Sequence, residues 1–422
     1  MQNNSNNQRD TYKLVEKLIS GKITNKLSLL KSLVKDIIKT KEFGIVSGRI
    51  WELNSKDLSY SLKFQLGSSQ KIPLSHTLSI ADQPILSKFS EQRTILNYET
   101  DELLKQKGVQ LFSAIGVGEL VRLKTGKFYE YVIGFSAPEI QQAFYETLNI
   151  ISSVSTVALK NLSDQVAHKK IKKDIYRASE IQKNLFPDHA VSFYDYDVFG
   201  VCIPDSEVGG DYFDYIRSTD QEEERLGIVI SDASSKGLPA AVQSLFLSGA
   251  LKMGMGFAPK ISSIFSKLNN LIHETFFYER FVTLFYCDLT LTSNRLVLYA
   301  NAGHCSPLHY HAPKDKFKSL DPTGGFLGIM PNQKYKVENI NMKKGDVLVL
   351  FTDGITEAQD EEGNLFGEER MKDIIRKYHA SPANIIAYAI LEEVENFSAN
   401  GAYNDDKTLV VIKRNEEELV SE

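Results

Sequence analysis

No stretch of this chain approaches the roughly 18 consecutive apolar residues that a membrane-crossing helix needs, and Met1 to Asp10 lack the apolar core of an export signal. Neither a membrane span nor secretion is expected. Cysteine is scarce as well. Cys202, Cys287 and Cys305 are odd in number and show no C-x-x-C spacing, which argues against a disulfide framework or a zinc knuckle and suits a reducing cytoplasm. Also missing is any excess of positive charge: 49 Lys and Arg face 54 Asp and Glu, a net charge of −5. Nucleic acid usually demands a basic face, so it is not the expected partner. A soluble cytoplasmic protein is the expectation.

What the chain does have is length and order. Its 422 residues suffice for two or three domains, each with its own core. Residues 1–10 are rich in Asn and Gln and are expected to form a disordered tail. From Tyr12 to Thr40, Leu14, Leu18, Leu27, Leu30, Leu33, Val34 and Ile37 recur at helical spacing with a break near Gly21, predicting two helices or one interrupted helix. Strand-like runs follow at Gly44–Leu53, Ser59–Leu66, Leu111–Leu123 and Phe128–Phe135. Short helices are predicted between them at Gln83–Phe89 and Glu102–Lys107, and a long amphipathic helix at Pro138–Leu162. This order predicts a small α/β domain over residues 11–160, either a ligand sensor or a dimerisation module.

Residues 161–187 read as a linker helix. Ile171, Ile175, Ala178, Gln182 and Leu185 alternate in steps of four and three, the a/d seam of a coiled coil, and Pro187 ends it. A parallel homodimer is expected, with Gln182 as a polar seam position that leaves two packings close in energy. Residues 188–414 contain several buried strands with helices in pairs, which predicts two mostly antiparallel sheets with helices on their outer faces, an α+β architecture. Residues 415–422 are expected to be a tail.

The chemistry collects at strand ends. The apolar run Leu226–Ile230 discharges into Ser231-Asp232-Ala233-Ser234-Ser235-Lys236-Gly237-Leu238-Pro239, where proline marks the first turn of a helix. An ionised carboxylate at the edge of a core is costly unless something positive meets it. Gly345 to Gly354 repeats the design with Asp353, Asn404-Asp405-Asp406-Lys407 places acids just before a strand, and Gly209-Gly210-Asp211-Tyr212-Phe213-Asp214 places an acid after two glycines. Four acidic clusters with few basic neighbours point to a hard cation held by oxygen ligands. Asp406 is a weaker candidate, because neighbouring strand residues point to opposite faces and it cannot share the direction of Asp405, and Asp214 reads rather as a solvated or hydrogen-bonded strand residue. Asn301-Ala302-Gly303-His304 reads as a tight turn with a structural histidine. His309 and His311 share one strand face, without a third ligand to complete a zinc site.

Taken together, GGDYFD, SDASSKGLPAA, FVTLFYCDL, NAGHCSPL, GDVLVLFTDGITEA and DDKTLVVI resemble the SpoIIE-type bacterial branch of the metal-dependent type 2C (PPM) serine/threonine protein phosphatases, over about Ile181 to Arg414. The resemblance implies an αββα sandwich and hydrolysis of phosphoserine or phosphothreonine by a metal-activated water, with two Mn2+ or Mg2+ ions. It implies that Asp232 bridges both ions with the Ala233 carbonyl on one, that Asp353 and Asp405 hold the other, and that Asp211 binds a water of the metal shell or ligates the second ion. Ser235 stands where the family usually has glycine, and no counterpart is evident for the phosphate-binding arginine of the animal relatives. The implied substrate is a STAS-type anti-sigma-factor antagonist, in partner switching. Residues from about Leu29 to Leu159 resemble a divergent GAF domain in pattern only, with an unknown small-molecule or protein signal.

Two rival readings use the same residues. GGDYF is superficially similar to the GGDEF motif of diguanylate cyclases, but the glutamate is absent and the other acidic clusters are left without a purpose. A catalytically inactive pseudophosphatase acting as a signalling scaffold is the second rival. Retention of all four acidic clusters argues against it, since a scaffold needs no buried like charges.

Overall fold

The helical spacing of Leu14 and Leu18 carries a helix further toward the N-terminus than composition suggests. In the computed structural model α1 spans Gln2–Ser20, so the expected disordered tail is helical from Gln2. Once Leu14 and Leu18 are packed in a core, the residues before them only extend a ladder already nucleated. The described residues are 2–20, 25–67, 71–99, 101–109, 111–137, 139, 142–220, 223–257, 260–276, 281–290, 296–401 and 405–415. The break near Gly21 and the tail 415–422, apart from residue 415, lie outside them. Two units result, Met1–Ile171 and Lys172–Glu422.

The first unit is built on strands β1 Ser47–Asn54, β2 Ser59–Gly67, β3 Thr77–Ser79, β4 Thr94–Tyr98, β5 Leu111–Leu123 and β6 Gly126–Ser136. They form one antiparallel sheet in the order β3-β2-β1-β6-β5-β4. Against one face pack α1, α2 (Lys26–Lys39) and the first part of α4 (Gln142–Lys183) through Leu30, Leu33, Phe144 and Leu148. Asn25 caps α2 by accepting the Ser28 N–H at 2.8 Å. The other face carries Trp51, Tyr60 and Phe128 under a 3₁₀ turn at Pro84–Ser90 and the short α3, Glu102–Gln106. Strands β3 and β4 were not foreseen, since each is short and partly polar.

Helix α4 runs unbroken across residue 160, and the two units divide after Ile171 within it.

In the second unit β7 Ala190–Phe193, β8 Tyr196–Ile203, β13 Leu308–His311, β14 Lys316–Ser319, β16 Val347–Phe351 and β17 Lys407–Arg414 make a sheet in the order β14-β13-β16-β17-β8-β7. A second sheet, β15-β12-β11-β10-β9, uses β9 Tyr212–Asp220, β10 Glu223–Ala233, β11 Val282–Thr290, β12 Leu296–Ala302 and β15 Glu338–Asn341. All neighbours are antiparallel. Side-chain alternation sorts the core into layers. Ile228, Ile230, Leu348, Leu350, Val410 and Ile412 meet between the sheets. Val229 faces α5 Leu238–Met255 and α6 Ile261–Thr275, while Val347, Val349 and Val411 face α8 Gly367–Tyr378 and α9 Ala383–Ser398. The short α7, Asp353–Thr356, follows β16 directly. Helix, sheet, sheet, helix is the α+β sandwich expected. Among the described residues no helix is long and apolar enough to cross a membrane.

Candidate metal centre

Every expected ligand stands where a strand starts or stops. Asp232 shares a face of β10 with Ile228 and Ile230, so it points into the opening between the sheets, and its N–H donates to Thr283 Oγ1 at 3.3 Å. Asp353 is the first residue of α7, and Asp405 and Asp406 immediately precede β17. Asp232, Ala233, Asp353, Asp405 and Asp406 line one cleft of about 610 Å³, with Asp205, Lys236, Cys305 and His304. Asp211 is only 2 % exposed and is not among the lining residues; its Oδ2 accepts the Thr352 hydroxyl at 2.8 Å.

The electrostatics are those of a site short of positive charge. Burial pushes the Asp232 carboxyl up to about 7, with the charges of Asp353, Asp405 and Asp406 adding to the effect. Burial, then the charge of Asp232, holds Asp211 well above the usual carboxylate range. Asp353 is raised by burial and then by Asp405 and Glu357. The cation lining the cleft is Lys236, whose Nζ is 2.8 Å from Asp405 Oδ2 and which is stabilised in its charged form by that bond. Hard divalent cations fit such a donor set, since they would remove the repulsion and accept both carboxylate and carbonyl oxygen. Among the described residues no three His, Cys, Asp or Glu side chains gather closely enough to cage one ion. Residues holding ions here would therefore share them with water, the usual habit of Mg2+.

The weaker candidates resolve into scaffolding. Asp406 accepts the backbone N–H groups of Gly210 at 2.6 Å and Asp205 at 2.9 Å, with Asp211 N–H at 3.4 Å, and so pins the loop that carries Asp211. A Cβ on Gly209 would lie 2.6 Å from Asp406 Oδ2, and one on Gly354 would lie 2.0 Å from the Asp406 carbonyl oxygen. These glycines are close-approach positions. Asp214 is buried and held by Tyr212 Oη at 2.5 Å and Lys252 Nζ at 2.8 Å. Asn301 closes the Asn-Ala-Gly-His turn by accepting the His304 N–H at 2.8 Å, while His304 Nδ1 meets Thr283 Oγ1 at 2.8 Å. Burial pushes the His304 imidazole down to about 3, so it stays neutral.

His309 and His311 do find a third group, which spacing could not reveal. Asp346 lies between them, 2.9 Å from His309 Nε2 and 2.8 Å from His311 Nδ1, and also accepts the Lys343 N–H. Burial opposes its ionisation, but these hydrogen bonds prevail and hold its carboxyl below the usual range.

Gln182 requires a correction. It does not occupy a dimer seam: it is 6 % exposed, and its amide donates to the Gly209 carbonyl at 2.7 Å and accepts the Gly209 N–H at 3.3 Å. Of the other seam positions, Ile171 and Leu185 are exposed, at 58 % and 38 %, and so is Ile181 beside them, at 61 %. Two contributors were not foreseen: Thr352, hidden at the end of an apolar run, and Gln182, whose helical spacing suits the seam and the inward face alike.

Residues 222–415 match the family model of stage II sporulation protein E (SpoIIE). This span is a SpoIIE-family domain. It is a protein serine/threonine phosphatase domain of the PP2C type. Phosphoserine phosphatase RsbU of Bacillus subtilis is 29% identical over 253 residues, which cover 58% of this chain and 71% of that protein. Protein IcfG of Synechocystis is 23% identical over 291 residues, covering 63% of this chain and 44% of IcfG. The SiaA-PP2C domain of Pseudomonas aeruginosa superposes with a TM-score of 0.49 at 20% identity, covering 58% of this chain and 98% of that one. The SpoIIE match begins after Asp211, so Asp232, Asp353 and Asp405 lie inside it and Asp211 outside.

Proposed function

We propose that the chain removes phosphate from phosphoserine or phosphothreonine on a regulatory protein, with Asp211, Asp232, Asp353, Asp405 and the Ala233 carbonyl as the oxygen ligands of two Mn2+ or Mg2+ ions. The observation that carries this is the crowding of Asp232, Asp353 and Asp405 in one cleft, with Asp232 raised to about 7. Bound divalent ions supply a water of lowered pKa and neutralise charge on the phosphoryl oxygens. Asp232, Asp353 and Asp405, which share the cleft, would hold the ions. Asp211 would hold a metal ion or one of its waters, and the Thr352 hydroxyl donates to its carboxylate. Lys236, at the rim, neutralises Asp405. His304, kept neutral by burial, closes the Asn301 turn and meets Thr283.

A STAS-type antagonist is the proposed substrate, supported by the likeness to RsbU, which is named a phosphoserine phosphatase. The charged side chains lining the cleft are aspartates, with Lys236 the cation among them, so affinity for a protein must come from surfaces around it. In the GAF-like first unit, a cavity between the sheet and the Pro84–Ser90 turn, lined by Arg49, Trp51 and Phe89, is the proposed place for a small-molecule signal. The exposed apolar residues of α4 support a homodimer, and the free cysteines suit a cytoplasmic setting. The test is phosphate release from a phosphorylated STAS protein and from free phosphoserine, with Mn2+ or Mg2+ and in excess chelator. Turnover is expected on the protein, with metal only; turnover in chelator, or equal efficiency on both substrates, would overturn the reading.

A further inference from the structure

The loop that delivers Asp211 is gripped from two sides. On one side Asp406 takes the N–H groups of Asp205, Gly210 and Asp211. On the other, the buried amide of Gln182, in the last turn of α4, takes both polar backbone groups of Gly209. A primary amide is the neutral side chain able to do this, since it presents one donor and one acceptor in a plane that matches a peptide group. Gly209 leaves no room for adjustment, because a Cβ there would run into Asp406. Gly210 is similarly confined, its Cβ position lying 3.0 Å from Ala240 Cβ. Two residues beyond the Gln182 grip, Asp211 is buried and its carboxylate is fixed by Thr352.

We propose that Gln182 is a positioning residue of the phosphatase site, whose double hydrogen bond to Gly209 sets the path of the Gly209–Asp211 turn and so the placement of the Asp211 carboxylate toward bound metal. The inference rests on the metal-site reading above and adds a residue that lies outside the SpoIIE match. A passive packing role would make Gln182 matter for stability alone. A positioning role makes it matter for metal affinity while the protein is fully folded, because a turn free to wander presents Asp211 in many places and loses preorganisation.

The experiment is a calorimetric Mn2+ titration of the full-length protein at 25 °C, with folding checked by circular dichroism. Gln182→Met removes both hydrogen bonds at similar volume, and Ser179→Ala, at a buried α4 position 5 % exposed, serves as the packing control. Gln182→Met is expected to weaken Mn2+ binding by roughly ten-fold or more. Raising Mn2+ should then restore much of the lost kcat, whereas Ser179→Ala should leave Mn2+ affinity unchanged. Wild-type Mn2+ affinity in folded Gln182→Met, whatever its melting temperature, would overturn the inference. An equal loss in Ser179→Ala would overturn it too, by exposing a general packing effect. If Gln182→Met does not fold, Gln182→Glu keeps the acceptor for the Gly209 N–H and loses the donor to its carbonyl. The same criterion then applies to it. Failure of the underlying phosphatase reading is distinguishable, since it would show in the wild type as absent Mn2+-dependent phosphate release.

Discussion

Asp232 is a carboxylate held in surroundings that disfavour its charge, and this has a sign that can be measured without any substrate. Its folded pKa, about 7, lies above the ordinary carboxylate value near 4, so the folded state binds the proton more tightly than the unfolded one. That contribution to stability is complete below about pH 4 and is lost as pH rises through about 7. Asp211 and Asp353, raised in the same direction, add to it. Chelator-treated protein is therefore expected to lose melting temperature between pH 5 and pH 8, and Mn2+ to abolish most of that loss, as scanning fluorimetry would read. A melting temperature that climbs over this range in chelator would contradict the electrostatic account. The same reasoning makes Asp232→Asn more stable than wild type at pH 8 without metal, since it removes one buried like charge. A clear fall in apo stability would count against the crowding.

At the scale of elements, the site depends on backbones approaching more closely than side chains permit. Gly354, the second residue of α7, lies against the Asp406 carbonyl, and a Cβ there would stand 2.0 Å from it. Gly354→Ala must therefore part α7 from the start of β17, and is expected to cost about 3 kcal/mol or more in urea denaturation. A loss under 1 kcal/mol would mean that the two segments separate freely. Much of this arrangement was legible in the sequence because it is periodic or punctuated. Continuous apolar runs at Leu226–Ile230 and Val347–Phe351 placed the strands, and Asp232, Asp353 and Asp405 stood out as candidates because charges at the ends of such runs are costly unless something positive meets them. What was not legible is tertiary. Asp346 joins His309 to His311 across a gap of 35 residues or more, and Asp406 reaches back 196 residues to Gly210. Gln182 was misjudged because its spacing fits two faces of one helix, and only the position of Gly209 decides between them. Strand β14 escaped notice because four partly polar residues give too short a pattern.

For the whole molecule, α4 is the element common to both units, Gln182 is turned inward, and the proposed homodimer would use exposed apolar residues of this helix, Ile171 and Ile181 among them. Sedimentation is expected to report a dimer, and Ile171→Lys with Ile181→Lys to yield a monomer, while Lys183→Ala changes little. A wild type that stays monomeric at every concentration would remove the dimer and leave the phosphatase untouched. The central claim is that carboxylates at strand ends of a SpoIIE-family domain hold metal for phosphoprotein hydrolysis. It is tested most directly by the rate of phosphate release from a phosphoserine protein at saturating Mn2+, comparing wild type with folded Asp232→Asn. The account predicts turnover in the wild type and a loss of roughly a thousand-fold or more in the variant, about 4 kcal/mol of transition-state stabilisation. Comparable rates in the two proteins would contradict it.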